Sequence, residues 1–223
     1  MSDLELRELD PDGAIAEALE RLHGTTRAQL LRRAVLGSAA LLAAAATPAA
    51  MAQGGDSDAD ILNFALSLEY VQDSFYGETE RIGALTGDLA TQARVVAGHE
   101  RAHVEALRKT LGAQAVKRPR FDFRGATEDA EKFRRTAVAF EDLAVAAYKG
   151  QAPLISRQAY LASALGIHAV EARHAAWIRR LAGIQPAADA FDEPRSKSST
   201  LAIVERTHFT VSMESAQRPR FIG

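Results

Sequence analysis

Glu100-Arg101-Ala102-His103 and Glu171-Ala172-Arg173-His174 are two Glu-x-x-His tetrapeptides in one chain of 223 residues. A lone glutamate precedes each at nearly the same distance: Glu69 stands 31 residues before the first and Glu141 stands 30 before the second. On an α-helix, residues i and i+3 share a face, so each tetrapeptide offers a carboxylate and an imidazole to one point in space. The repeat continues outward from these anchors. Tyr76 lies seven residues after Glu69 and Tyr148 seven after Glu141, while Gly112 lies twelve after Glu100 and Gly183 twelve after Glu171. Leu107-Arg108-Lys109 has Ile178-Arg179-Arg180 at the same offset. A shift of 71 or 72 residues relates the two halves, which reads as a duplicated helix pair.

A single Glu-x-x-His arises by chance in many helices, so the surroundings must decide. Val96, Ala97, Val104, Leu107 and Leu111 share the stripe of Glu100, and Ile167, Ala175, Ile178 and Leu181 share that of Glu171. Glu141 lies among Phe133, Ala137, Val138, Ala144, Val145 and Tyr148, and Glu69 among Leu62, Ala65, Leu66 and Tyr76. All four glutamates therefore fall on core-facing stripes. Four unpaired carboxylates in one core would repel unless protonated or matched by cations. Two divalent ions balance them, and four carboxylates with two histidines from four helices is the ligand set of carboxylate-bridged di-iron and di-manganese bundles. The candidate metal ligands are Glu69, Glu100, His103, Glu141, Glu171 and His174. The implied cofactors are two divalent metal ions, iron or manganese, which share the same nitrogen and oxygen donors.

Composition narrows the alternatives. With no cysteine the chain has neither disulfides nor thiolate metal sites. The formal charge is −2, with 47% hydrophobic and 25% charged residues, which fits one globular domain plus appendages and gives no sign of a nucleic-acid partner.

The helical segments fall into order around the anchors. Ser57 is the expected N-cap of a first helix running to Ile82, ended by Gly83 and Gly87. A second spans Asp88 to Leu111 and stops at Gly112. A third starts at Thr127 and runs to Lys149, before Gly150 and Pro153; a fourth begins at Ser156 and ends at Gly183. Short turns make each pair an antiparallel hairpin. The link between the pairs can span about 50 Å at ~3.3 Å per residue, against about 36 Å for a 24-residue helix, so it can cross the whole bundle. Phe121 and Phe123 are expected to pin it down. After Pro186 the pattern stops, with a short helix over Thr200 to His208 and a loose end at Gln217-Arg218-Pro219-Arg220.

The N-terminal region carries a different signal. Thr26 to Arg33 is basic, Ala34 to Ala46 is uncharged, and Ala50-Met51-Ala52 supplies an Ala-x-Ala site, the pattern of an export signal cleaved after Ala52. Arg32-Arg33 resembles a twin-arginine signal, although Ala34-Val35-Leu36 matches only loosely what usually follows. An ordinary secretory signal and an uncleaved anchor are the alternatives.

The stretch from about Ile61 to Phe191 resembles the ferritin-like proteins, most closely the bacterial and plant branch that includes the desiccation-related proteins. The carrying phrases are Leu66-Ser67-Leu68-Glu69-Tyr70 with Phe75-Tyr76, His99-Glu100-Arg101-Ala102-His103, Ala147-Tyr148-Lys149-Gly150 and Val170-Glu171-Ala172-Arg173-His174. The resemblance implies an all-α fold: a ferritin-like four-helix bundle of two antiparallel hairpins joined by a long crossover. The domain plan is an export signal over residues 1 to 52, a bundle over 57 to 185 and a tail over 186 to 223. The function expected is that of an exported di-metal protein acting on oxygen or peroxide, periplasmic or secreted, with the twin-arginine machinery as a partner. A non-catalytic stress protein with a structural metal site is the alternative, and a homo-oligomer is compatible with either. Near the site, His168 lies on the ligand face one turn away, as a donor behind the ligands, a spare ligand or a structural histidine. Asp73 is placed either as a partner for a liganding histidine or, the more common outcome, as an aspartate at the solvent edge. Tyr76 and Tyr148 are expected as core aromatics whose hydroxyls need partners. His99 points about 100° away from Glu100 and is excluded from the ligands. Trp177 is assigned to the core, and His23 and His208 receive no role.

Overall fold

A computed structural model describes residues 56–187 and 189–211 of the chain. The expected export signal and the Gln217-Arg218-Pro219-Arg220 end lie outside the described residues. Among those described are five α-helices: α1 (Asp58–Ile82), α2 (Gly87–Leu111), α3 (Ala130–Gln151), α4 (Gln158–Leu181) and α5 (Lys197–Thr207). No helix among them is long and apolar enough to cross a membrane. The fold is an all-α helical bundle.

Local chemistry sets the helix ends. The Ser57 hydroxyl accepts from the Asp60 amide, and the Asp60 carboxylate accepts in turn from the Ser57 amide, a reciprocal cap that starts α1. Gly83 ends α1 with φ 68, a left-handed conformation that costs a glycine little. α3 starts three residues later than the sequence suggests, because Asp129 and not Thr127 is its cap: the Asp129 carboxylate accepts from the Lys132 amide at 2.8 Å. Thr127 is buried instead, donating to Glu78 at 2.8 Å. α4 begins at Gln158, after Ser156 and Arg157 have given their amides to the Asp58 carboxylate at 2.7 and 3.0 Å. One side chain at the head of α1 thus satisfies the free amides preceding α4.

The crossover is traced by its contacts along α1. Asn63 holds its beginning, donating to the Gln114 carbonyl at 2.9 Å and accepting from the Val116 amide at 2.8 Å. Tyr70 donates to the Val116 carbonyl at 3.1 Å, and Arg118 lies over the Tyr70 ring while pairing with Asp73. Phe123 then packs edge-on against Phe75. The link therefore follows α1 from near its start to near its end, which makes α2 and α3 parallel to each other. Phe75 is the hub of that end of the core: it stacks on Phe133 at 5.2 Å and meets Tyr76, Phe123 and Phe140 edge-on.

The tail returns to the bundle. Two short strands, β1 (Arg120–Phe121) and β2 (Thr210–Val211), pair antiparallel, so the link and the tail are stitched together. Phe209 closes against Phe123 and Phe140. α5 begins at Lys197, capped by Ser196, and lies against α3. The third helix does not stop at Gly150 as its glycine suggests. It runs on to Gln151, and Gly150 serves close approach: the Arg195 amide donates to the Ala146 carbonyl at 2.9 Å, and a Cβ at position 150 would lie 2.0 Å from the Arg195 carbonyl oxygen.

Candidate metal centre

The four glutamates of the repeated pattern meet in the middle of the bundle. Glu69 on α1, Glu100 on α2, Glu141 on α3 and Glu171 on α4 are all 0% exposed. His174 is 2% exposed at its side chain, and His103, at 12%, is the most open of the six. Around His103 Nδ1 lie Glu171 Oε1 at 3.0 Å, Glu69 Oε2 at 3.2 Å and Glu100 Oε2 at 3.5 Å. Around His174 Nδ1 lie Glu100 Oε1 at 3.0 Å, Glu141 Oε2 at 3.6 Å and Glu171 Oε2 at 3.7 Å. These residues form two groups, Glu69 with Glu100, His103 and Glu171, and Glu100 with Glu141, Glu171 and His174, in each of which the donor atoms lie within 4.8 Å of one another. Glu100 and Glu171 belong to both groups. The duplication in the sequence has become a pseudo-twofold in space, with two shared carboxylates flanked by one Glu and one His on each side.

A family model described as a ferritin-like domain matches residues 57–183. The chain belongs to the ferritin-like family. No curated protein matches it.

The ferritin-like centre is braced by groups that cross between its halves. Tyr76, on the helix of Glu69, donates to Glu141 Oε1 at 2.5 Å, while Tyr148, on the helix of Glu141, donates to Glu69 Oε1 at 2.5 Å. Each lone glutamate thus has its outer oxygen held by the tyrosine of the other half, which turns the inner oxygen toward the middle. Gln72 adds an amide, donating to Glu141 Oε2 at 3.3 Å and Glu171 Oε2 at 3.2 Å.

Whether these residues fit a metal can be tested on their hydrogen bonds. Both oxygens of Glu100, Oε1 of Glu171 and Nδ1 of His174 are buried without a hydrogen-bond partner, despite separations as short as 3.0 Å. Within each group the donor atoms are gathered within 4.8 Å of one another, yet these remain unpaired. Buried polar atoms are almost always satisfied, so an orphaned set of carboxylate and imidazole donors fits a bound cation.

Protons carry part of that balance when metal is absent. Burial, with the charges of Glu171 and Glu69 close by, pushes Glu100 well above the usual carboxylate range. Burial also raises Glu141, to about 7. Burial would raise Glu171 as well, but His103 and His174 against it bring it down to about 2. Burial opposes charge on both histidines, yet the surrounding carboxylates prevail and push His103 and His174 up to about 12. The metal-free centre is a buried cluster in which imidazolium and carboxylate groups share protons.

The structure brings all six expected residues together and corrects several of their neighbours. Asp73 does not reach a histidine; it pairs with Arg118 of the crossover. His168 is half-buried with Nδ1 unpartnered and stands outside both donor groups. Trp177 is half-buried, not core. His99, excluded from the ligands, does touch the centre: its Nδ1 lies 2.9 Å from His174 Nε2. Gln72 and His99 are the residues that sequence reasoning missed. Both carried a signal, since Gln72 stands three after Glu69 and His99 four before His103, positions that share a helix face.

Proposed function

We propose that this chain is an exported ferritin-like protein that binds two divalent ions, iron or manganese, and acts on oxygen or hydrogen peroxide in stress protection. The observation that carries the reading is the pair of overlapping donor groups sharing Glu100 and Glu171. Glu69 and His103 would hold one ion and Glu141 and His174 the other, with Glu100 and Glu171 between them. Bound there, two such ions supply paired Lewis acids that can exchange electrons with an oxygen species. The protein's own part is positional. Tyr76 and Tyr148 fix the two lone carboxylates, Gln72 restrains Glu141 and Glu171, and the apolar stripes of the four helices exclude bulk water. Small molecules would arrive beside His103, the most open of the six.

Export rests on the sequence of residues 1 to 52, and the twin-arginine machinery is the partner it implies. Replacing Arg32 and Arg33 by lysine should hold the protein in the cytoplasm; unimpeded export of that variant would remove the route from the reading.

The full burial of all four carboxylates favours a second reading, in which metal staples the bundle of a desiccation-related stress protein and nothing is turned over. Addition of ferrous ion without oxygen, followed by air or hydrogen peroxide, separates the two. Oxo-bridged ferric absorption with consumption of the oxidant supports the redox reading. Stoichiometric metal binding with no spectral change and no oxidant loss supports the staple.

A further inference from the structure

The pseudo-twofold that relates the two halves of the centre is broken at one position. His174 presents Nδ1 to the carboxylates, and its other ring nitrogen, Nε2, lies 2.9 Å from Nδ1 of His99. The two rings are tilted by only 12° and their centroids are 5.2 Å apart. That separation is what two imidazoles laid end to end across one N···N contact require, so the rings are coplanar and hydrogen-bonded, not face to face. The equivalent of His174 is His103, and the residue that the 71-residue shift sets against His99 is Val170, which has no polar side-chain atom. Among the described residues, His103 Nε2 has no protein hydrogen-bond partner.

A histidine that gives one nitrogen to a metal keeps its proton on the other, and the group accepting that proton fixes the tautomer and the ring orientation and makes the ligand more basic. That group is commonly a carboxylate, a backbone carbonyl or water. Here the group within reach is a second imidazole, presented from α2 to His174 on α4. Its ring is exposed, so it reaches from the surface to the buried centre. We infer that His99 is a positioning residue that accepts the Nε2–H of His174, holds the tautomer that turns Nδ1 inward, and makes the His174 half the tighter of two inequivalent metal positions.

This inference rests on the two-ion reading above, and the experiment separates failure of one from failure of the other. The free manganous ion in solution is followed by its paramagnetic resonance signal while the metal-free full chain is titrated. Three proteins are compared: wild type, His99→Val, which copies the other half, and His99→Gln, whose side-chain oxygen can still accept a hydrogen bond. Wild type should bind two ions in two classes of affinity. His99→Val should weaken the tighter class about 10- to 100-fold while leaving the weaker class unchanged. His99→Gln should recover a large part of the loss, which a merely structural role would not predict. Because residue 99 is exposed, all three should keep the same helical content by circular dichroism. Two ions bound by His99→Val with wild-type affinities, or an equal loss at both positions, overturns the inference and leaves the metal centre standing. No binding of manganous ion by wild type overturns the metal reading and this inference with it.

Discussion

Glu69 and Glu141 each have one oxygen turned outward to a tyrosine and one turned inward to a histidine, so single atoms decide what the centre can hold. Tyr148→Phe keeps the ring and removes only the donor to Glu69 Oε1. The buried acceptor left behind should cost the metal-loaded protein about 1–3 kcal/mol, read as a lower denaturant midpoint at unchanged slope. An unchanged midpoint would mean that the hydroxyl makes no net contribution. Glu171→Gln tests a shared carboxylate with almost no change of volume. Wild type should gain about 2.7 kcal/mol at a hundredfold excess of ion over Kd, and the variant should lose most of that gain. Without metal, Glu171 is the ionised partner of His103 and His174, so the neutral amide should lower stability near neutral pH by removing that pairing. Thermal melts of both proteins with and without manganous ion check the pair of expectations. At this scale the sequence was informative about the ligands because a helix converts i, i+3 spacing directly into a shared face. It placed Asp73 and His99 on faces near the ligands but not against their partners, Arg118 and His174, which belong to other elements. Such contacts depend on where the elements dock, and periodicity within one helix does not carry that.

The helices were legible wherever a cap or an apolar stripe marked them, and less so where tertiary contact overrode the local signal. Ser57 with Asp60 announced α1, and Gly83 and Gly112 its end and that of α2. Gly150 misled, because a glycine can mark a helix end or a close approach and only the folded chain distinguishes them. Its tertiary role makes a prediction. Gly150→Ala puts a methyl group 2.0 Å from the Arg195 carbonyl oxygen, a backbone atom that cannot rotate away. Alanine is the better helix former, so an isolated α3 would gain, but relieving the overlap should cost about 1–3 kcal/mol. The expected outcome is faster amide exchange across α5 and β2 in the variant, with protection in α1 and α2 unchanged. Unaltered exchange in α5 would show that the tail does not depend on this approach. The pairing of β1 with β2 had no sequence signature, since two residues of strand are too few for an alternating pattern.

For the whole molecule, the length of the crossover had already allowed it to run end to end, and its contacts from Asn63 to Phe75 along α1 show the path. The buried charge set makes stability depend on pH in a definite sense. Glu100, Glu141, His103 and His174 all hold protons more tightly when folded than their unfolded values of 4.5 for Glu and 6.5 for His. Their contribution is complete below those unfolded values and is lost as pH rises through the folded ones, about 7 for Glu141 and about 12 for the histidines. Glu171, held at about 2, acts oppositely: its contribution is present above 4.5 and is lost as pH falls toward 2. From this centre, metal-free protein should lose stability steadily from pH 5 to pH 9. Metal binding displaces the same protons, so affinity should rise over that range. Melting temperatures with chelator and with manganous ion should therefore diverge as pH increases, and parallel curves would count against proton displacement at the centre. The central claim is that two ions lie between the four helices, and anomalous diffraction from crystals of the full chain loaded with manganous ion tests it most directly. The account predicts two peaks, one among Glu69, Glu100, His103 and Glu171 and the other among Glu100, Glu141, Glu171 and His174; an empty core, or manganese held only at surface carboxylates, would contradict it.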